Sequence, residues 1–193
     1  MTRTGRTTLL AASAAALISA TAAPVMTAAP KPAAAGARNV ERGAYLVRIM
    51  GCNHCHTPYK MGPAGPEPDM TRRLSGHPAD LVMPQAPALG ASPWAWIAAG
   101  TNTAFAGPWG VSFTANLTPD PQTGLGKWTA ETFIATMKTG RHEGKGRPVL
   151  PPMPVENLAN LSDSDIRDLF AYLQTLTPIK NRVPAPVDPP EAQ

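Results

Sequence analysis

Residues 51–58, GCNHCHTP, hold both cysteines of the 193-residue sequence and two of its four histidines. Cys52 and Cys55 are three positions apart, and His56 follows the second cysteine directly. This spacing is the C-x-x-C-H pattern typical of c-type haem attachment. In that chemistry two thiols one helical turn apart become thioethers on one porphyrin edge, and the next imidazole binds the iron. We therefore predict one covalent haem c on Cys52 and Cys55, with His56 as the proximal iron ligand.

Two other chemistries use cysteines in such arrangements. A thiol oxidoreductase places C-x-x-C between a strand and a helix, whereas here a helix is predicted before the motif and a proline-rich segment follows it. Structural zinc needs about four ligands, and the sequence contains no second cysteine pair. Haem attachment is therefore the leading hypothesis, and a periplasmic thiol oxidoreductase and a metal site are the alternatives.

The sixth iron ligand is predicted to be Met153, in the segment LPPMPV. A thioether sulfur favours ferrous iron and raises the reduction potential, and the flanking prolines stiffen the loop that carries it. Met83, in VMPQ, is the rival methionine. His77 or His142 would instead give an iron with two histidine ligands, although each is also interpreted as a loop residue or a propionate donor.

Four segments have the apolar spacing and end signals of helices, and none alternates clearly as a strand. The predicted helices cover residues 39–50, 93–99, 130–139 and 162–176. The last is the clearest, because Ser162 can cap it, Asp165 lies at the capping-box distance and apolar residues recur at helical spacing. Helices this short bury little area, so we expect a cofactor to complete the core.

The N-terminus has the features of a secretory signal. Arg3 and Arg6 precede an uncharged, alanine-rich run that reaches Ala23, after which we predict cleavage. An uncleaved membrane anchor is the alternative. A cleaved signal predicts a periplasmic or otherwise exported protein.

The chain divides by composition into four parts: a signal peptide of residues 1–23, a flexible Ala/Pro-rich leader of residues 24–38, one domain of residues 39–179 and a Pro-rich tail of residues 180–193. Loss of the signal lowers the formal net charge from +4 to +2, which disfavours a nucleic-acid partner. The basic residues that cluster lack aromatic neighbours and are interpreted as a solvated loop or as a rim for an acidic partner. They are Lys138, Arg141, Lys145 and Arg147.

A predicted helix, CNHCH, a long loop region, PPMP and LSDSDIRDLFAYLQTL follow one another along the chain. In this order they resemble the class I c-type cytochromes, the exported single-haem electron carriers. Residues 116–133, NLTPDPQTGLGKWTAETF, are similar to the cytochrome c subunits that accept electrons for bacterial periplasmic or membrane-bound dehydrogenases. The resemblance covers most of residues 40–176. It implies an all-α, cytochrome c-like fold of short helices around one haem, with a long irregular loop insertion.

The resemblance also implies how particular residues support the haem. The first and last helices of the family cross through a small residue and an aromatic, which Gly43 and Tyr172 match; a glycine there lets two backbones approach. A Gly-Pro element usually supports the proximal imidazole, and residues 62–63 and 65–66 both qualify. Trp128 and Trp109 are candidate indole donors to the propionates, and packing would explain them equally well.

The spacing between the ligands departs from compact members of that class. His56 and Met153 are 97 positions apart, and the extra chain lies mainly in residues 58–128. That segment contains no second C-x-x-C-H pattern, so one haem is predicted. The loop is expected to cover the haem edge, to bind a partner or to be a feature of the subfamily.

The function that follows is one-electron transfer between redox partners, an upstream dehydrogenase and a downstream cytochrome or oxidase. An iron with both His56 and Met153 bound has no open position for substrate, so the chain is predicted to be a carrier and not an enzyme. A peroxidase-like enzyme, with Arg141 and His142 above the iron, and a gas-binding sensor are the alternatives. Both require Met153 to be displaced.

Overall fold

The computed structural model describes Met1, residues 32–87, Leu89 and residues 93–189. By their contacts, residues 1–30 and 31–193 form two units, and every element named below belongs to the second. The predicted signal peptide, apart from Met1, and residues 24–31 of the predicted leader lie outside the described residues.

Along the described chain two helices come first, five short strands follow, and three further helices come last. The helices are α1 Pro32–Ile49, α2 Cys52–His56, α3 Ala130–Thr139, α4 Val155–Leu158 and α5 Asp163–Leu173. The strands are β1 Tyr59–Gly62, β2 Gly65–Pro68, β3 Ile97–Ala98, β4 Ala104–Gly107 and β5 Gly110–Phe113. Two single turns of 3-10 helix, Met70–Arg72 and His142–Gly144, complete the elements.

The strands form two small antiparallel sheets. β1 pairs with β2 as a hairpin in which Tyr59 lies opposite Pro68. The second sheet has the order β3-β4-β5, with Gly107 opposite Gly110 at its tight turn. The all-α prediction therefore describes the core but not the connections, because β1 and β2 lie within residues 59–68 and β3, β4 and β5 within residues 97–113.

The core lies among the helices, and α1 crosses α5 at its centre. Gly43 of α1 faces the backbone of α5, where a Cβ would collide with the carbonyl of Asp168 and with the Cβ of Tyr172. The predicted contact between Gly43 and Tyr172 is present in the structure. The buried apolar residues around it form one cluster: Leu46, Val47, Leu74, Leu125, Phe133, Met137, Leu158, Ile166, Leu169, Phe170 and Leu173.

The predicted helices α3 and α5 are confirmed. α3 spans Ala130–Thr139 as predicted, with the Thr129 side chain accepting from the amide of Thr132 and Gly140 in the left-handed conformation that ends the helix. α5 begins at the predicted cap, since Ser162 accepts from the amide of Asp165. It ends at Leu173, three residues before the predicted end.

Helix α1 begins at Pro32, earlier than predicted, so that residues 32–38 of the expected flexible leader are helical. Proline is favourable at a first helical position and alanine has the highest helix propensity, which explains the extension. The helix predicted for residues 93–99 is wrong. Within that segment Ile97–Ala98 form β3, because pairing with Phe105 and Ala106 of β4 overrides the local cap and proline signals.

The C-terminal strap, residues 177–189, also differs from the prediction of a separate tail. The strap lies along the domain: Asn181 is 3% exposed, and Val187 exchanges two backbone hydrogen bonds with Val111 of β5, at 2.8 and 2.9 Å. Gly110 has φ +90°, and a Cβ there would meet the carbonyl of Val187. Described residues of the expected tail are therefore part of the domain.

Candidate haem-binding site

Helix α2 carries the whole C-x-x-C-H motif. Gly51, with φ 70° and ψ 24°, adopts a left-handed conformation between α1 and α2 that glycine reaches without strain. The chain therefore turns sharply after α1 and places the cysteines on a new helical turn. Cys52 and Cys55 are both partly buried free thiols, the state from which thioethers form.

Burial raises the pKa of both thiols, that of Cys52 to about 11. The cysteines are therefore protonated at neutral pH. A redox-active dithiol requires a depressed thiol pKa, and the motif follows helix α1 instead of a strand. Both observations count against the thiol oxidoreductase alternative.

His56 is buried, with 7% of its surface exposed. Its Nδ1 lies 2.8 Å from the carbonyl oxygen of Ala115, and because a carbonyl only accepts, Nδ1 carries the proton and donates it. Burial lowers the pKa of the ring, against the smaller opposing effect of the Ala115 hydrogen bond. The imidazole is therefore neutral, with the lone pair on Nε2 available to a metal.

The segment that surrounds His56 is bonded on several sides. The backbone carbonyl of His56 accepts a hydrogen bond from the amide of Gly76 at 2.8 Å. The neighbouring Thr57 is fully buried, and its Oγ1 accepts from the amide of Leu74 at 2.9 Å. These bonds fix the backbone at His56 and Thr57, while the Ala115 carbonyl holds the His56 ring.

The carbonyl that supports the imidazole belongs to Ala115, and the expectation of a Gly-Pro element is corrected. Residues 62–63 and 65–66 lie in or beside the β1–β2 hairpin instead. No residue type at position 115 indicated this role, because any residue supplies a backbone carbonyl. The signal that could have found it is the neighbouring NLTPD segment, which begins at Asn116.

Met153 is partly buried and packs against the core cluster. Its loop is held by Ser112 of β5, whose Oγ donates to the carbonyl of Pro151 at 2.6 Å, and by the Val155 amide, which donates to the Met153 carbonyl at 2.9 Å. Met83 is also partly buried but is not among the described residues that pack against the cluster. No distance tests either methionine as a ligand, so Met153 stays a prediction.

The other histidines have different surroundings. His77 is fully buried, its Nδ1 lies 3.0 Å from Thr103 Oγ1 and its Nε2 lies 3.1 Å from the carbonyl of Leu81. With both ring nitrogens engaged, His77 does not suit an iron ligand. His142 is exposed and packs edge-on against Trp128 at 5.2 Å between ring centroids, and His54 is exposed with no role assigned by its surroundings.

Two buried polar atoms have no hydrogen-bond partner among the described residues. They are Nε1 of Trp109, at the turn between β4 and β5, and Oγ1 of Thr114, directly before the supporting Ala115. Unpaired buried donors are costly and rare, and they are expected where a polar group of a bound cofactor completes the pairing. Helix α2 supplies two free thiols and a neutral imidazole oriented by Ala115, the residue after Thr114. The residues present therefore fit a haem with carboxylate substituents.

Among the described residues, neither a cluster of metal ligands nor a membrane-spanning helix is found. No group of three His, Cys, Asp or Glu side chains in this part of the chain is placed to hold a metal ion. Equally, none of the described helices has the length and apolar character needed to cross a membrane.

Comparison with known proteins identifies the class that this helical core and its C-x-x-C-H helix define. The family model of cytochrome c matches residues 40–177, which is more than half of the chain. The chain therefore belongs to the cytochrome c family. Family membership implies covalently bound haem c and supports electron transfer by that haem as its function.

The chain is similar to subunits of bacterial dehydrogenases. It is 37% identical over 78 residues to a nicotinate dehydrogenase subunit of Pseudomonas putida, covering 40% of this chain and 6% of that protein. It is 29% identical over 133 residues to the cytochrome c subunit of the quinone alcohol dehydrogenase of Gluconobacter oxydans, covering 69% and 20%. It is 26% identical over 146 residues to the fructose dehydrogenase cytochrome subunit of Gluconobacter japonicus, covering 76% and 23%. The chain thus spans less than a quarter of the length of each of these relatives.

Proposed function

We propose that this chain is an exported single-haem electron carrier, with haem c on Cys52 and Cys55 and iron bound by His56 and Met153. The observation that carries the proposal is the 2.8 Å hydrogen bond from His56 Nδ1 to the Ala115 carbonyl. It fixes the ring and its tautomer, and leaves Nε2 as the ligand atom next to two free thiols. A structural histidine of the core would have both nitrogens engaged, as His77 does.

Bound haem supplies a reversible one-electron couple. The residues of this chain hold the group in place: the two cysteines by covalent bonds, His56 by a ring that does not rotate, and Met153 from a loop tied to β5 and the core. A fixed pair of ligands changes little between oxidation states, which favours electron transfer over ligand chemistry. Trp109 and Thr114 are proposed to donate to the propionates, since both carry an unpaired buried polar atom.

The partners proposed are an upstream dehydrogenase subunit and a downstream cytochrome or oxidase. The relatives are named as subunits of nicotinate, alcohol and fructose dehydrogenases, which supports such an assignment without choosing the substrate. No nucleic acid is proposed as a partner.

Export to the periplasm and cleavage after Ala23 are part of the proposal, because haem attachment at C-x-x-C-H and the basic-apolar N-terminus both point to it. The intact mass of the protein purified from the periplasmic fraction tests the cleavage. We expect a chain that begins at Pro24 and carries the mass of one haem. A chain that begins at Met1 contradicts cleavage, and a mass with no haem contradicts the whole proposal.

Absorption spectra with and without carbon monoxide test the closed iron site. We expect the ferric protein to show a sulfur-to-iron charge-transfer band and the reduced protein to form no carbon monoxide adduct. Ready adduct formation by the wild-type protein would overturn the carrier assignment, because it requires an open sixth position. The matched comparison is the Met153→Ala protein, which should form the adduct.

A further inference from the structure

The strap contains a buried asparagine with all of its side-chain hydrogen bonds directed at one segment. Asn181 Nδ2 donates to the carbonyls of Ser75 at 2.7 Å and His77 at 2.8 Å. Its Oδ1 accepts from the amide of Ala79 at 2.8 Å. Three bonds from a side chain that is 3% exposed therefore fix residues 75–79, more than 100 positions earlier in the chain.

Residues 74–77 are in turn bonded to both sides of the proximal site. The Gly76 amide donates to the carbonyl of His56 at 2.8 Å. The His77 amide donates to the Thr114 carbonyl at 3.0 Å, and the Leu117 amide donates to the Leu74 carbonyl at 2.9 Å. Ala115, whose carbonyl accepts from the His56 ring, lies between the last two bonds.

The strap also holds the other side of Ala115 directly. Asn116 Nδ2 donates to the Ile179 carbonyl at 2.8 Å, and the Ile179 amide donates to Thr118 Oγ1 at 3.0 Å. The Asn181 amide donates to Thr123 Oγ1 at 3.0 Å. The strap thus joins the two segments whose relative position sets the distance from Ala115 to the ring.

We propose that Asn181 is a positioning residue for the proximal histidine, acting through residues 75–77 and Ala115 and thereby tuning the reduction potential of the haem. The proposal rests on the function proposed above. A hydrogen bond from Nδ1 raises the basicity of a ligating imidazole and so favours the oxidised metal. If Asn181 is removed, the Ala115 carbonyl is held less firmly, the bond weakens and the potential rises.

The experiment compares Asn181→Ala and Asn181→Ser with the wild-type haem protein. Asn160→Ala is the matched control, because Asn160 is exposed and its side-chain Nδ2 donates to the carbonyl of Glu156, four residues earlier, at 3.0 Å. The midpoint potential is measured by redox titration, and exchange of the His56 ring N–H and of the His77 amide is measured by NMR on the reduced protein. The ring proton reports the bond to Ala115 directly.

We expect Asn181→Ala to raise the midpoint potential and to speed both exchange rates at least about tenfold. Asn181→Ser retains one donor, so its shift should have the same sign and a smaller size. Asn160→Ala should match the wild type. This direction is opposite to that expected for loss of the methionine ligand, so the two effects cannot be confused.

Unchanged potential and ring exchange in Asn181 variants that have lost thermal stability would show a structural role and overturn the proposal. Failure of both variants to hold haem, while Asn160→Ala holds it, would also overturn it, since Asn181 would then be required for the fold. If the wild-type protein carries no haem, the proposed function itself is overturned, and the proposal for Asn181 is overturned with it.

Discussion

The state of the His56 ring depends on burial and on one carbonyl. Burial disfavours the charged ring, and the Ala115 oxygen selects which nitrogen carries the proton. The hydrogen bond that sets the tautomer of His56 does not come from either neighbour in sequence, Cys55 or Thr57. The chemistry of the motif is therefore determined by a contact 59 positions away along the chain.

Replacement of Met153 tests the distal ligand at the scale of a single side chain. We expect Met153→Ala to lower the midpoint potential and to open the iron to carbon monoxide, because a soft thioether that favours ferrous iron is lost. Redox titration and reduced-state spectra measure both effects. Met83→Ala is the matched control and should leave both unchanged; the reverse result would assign the ligand to Met83.

The carboxylate of Asp165 should make stability depend on pH. Its pKa is lowered, first by the hydrogen bonds from Arg42 at 3.0 and 2.9 Å and then by that from Ser162. A folded pKa below the ordinary 3.8 means that the contribution is present above that value and is lost as pH falls through the folded pKa. At neutral pH, Asp165→Asn should cost about 1 kcal/mol.

Chemical denaturation of Asp165→Asn at several pH values measures this contribution. The difference from the wild type should shrink as pH falls below about 3.8 and through the lower folded pKa, because the carboxylate of the unfolded chain takes up its proton before that of the folded protein. Asp163→Asn is the control in the same helical turn, because Asp163 is 68% exposed and makes a longer, 3.4 Å pair with Lys138. An equal loss of stability in both variants would contradict the specific role of Asp165.

The crossing of α1 and α5 depends on the absence of a side chain at Gly43. A methyl group there meets backbone atoms of α5, which cannot move aside as the end of a flexible side chain can. We expect Gly43→Ala to lower the free energy of unfolding by about 2–3 kcal/mol and Tm by roughly 5–10 °C. Thermal unfolding of the haem protein measures the change.

Gly36 provides the control on the same helix, since a Cβ at Gly36 has no described atom within 4 Å. Gly36→Ala should therefore be neutral or stabilising by up to about 1 kcal/mol, because alanine has the higher helix propensity. A Gly43→Ala protein as stable as Gly36→Ala would show that the two helices separate without cost.

Elements whose signals are local were predictable from the sequence. α3 and α5 each combine a capping side chain, Thr129 or Ser162, with a helical apolar stripe, and both begin where predicted. β3 has two residues and β4 has four, too short for alternation to be visible. Residues 93–99 carry cap and proline signals, but Ala98 of β3 pairs with Phe105 of β4, and no local pattern shows that pairing.

The whole molecule has a small described core, formed mainly by α1, α3 and α5. A covalently attached porphyrin adds apolar surface that such short helices do not supply. Cys52→Ala/Cys55→Ala should therefore lose the attached haem and the cooperative thermal transition, or lower Tm by roughly 10 °C or more. Circular dichroism and a haemochrome assay measure the two effects.

His54→Ala is the control for this experiment, because His54 lies in the same motif but has an exposed side chain. It should retain both the haem and the transition. A double cysteine variant that unfolds like the wild type would show that the protein core is sufficient without the cofactor.

At the same scale, the residues of the candidate site could be predicted where the chemistry requires a particular side chain. They could not be predicted where a residue contributes only its backbone carbonyl or amide. Cys52, Cys55 and His56 are visible because thioether and imidazole chemistry requires those side chains at that spacing. Ala115 contributes a backbone carbonyl, which any residue type supplies, so only the neighbouring NLTPD segment points to it. Asn181 lies in a proline-rich segment of the kind expected to be flexible, and its partners are more than 100 positions away.

The distance along the chain between Asn181 and its partners also determines when the strap can bind to the rest of the domain. The bond to Ser75 spans 106 positions, so the intervening chain must be made before it can form, and contacts this distant in sequence form slowly. The C-x-x-C-H segment is therefore free of the strap when it first emerges. We therefore expect the strap to close late in folding, which leaves Cys52, Cys55 and His56, the proposed haem-binding residues, accessible until then.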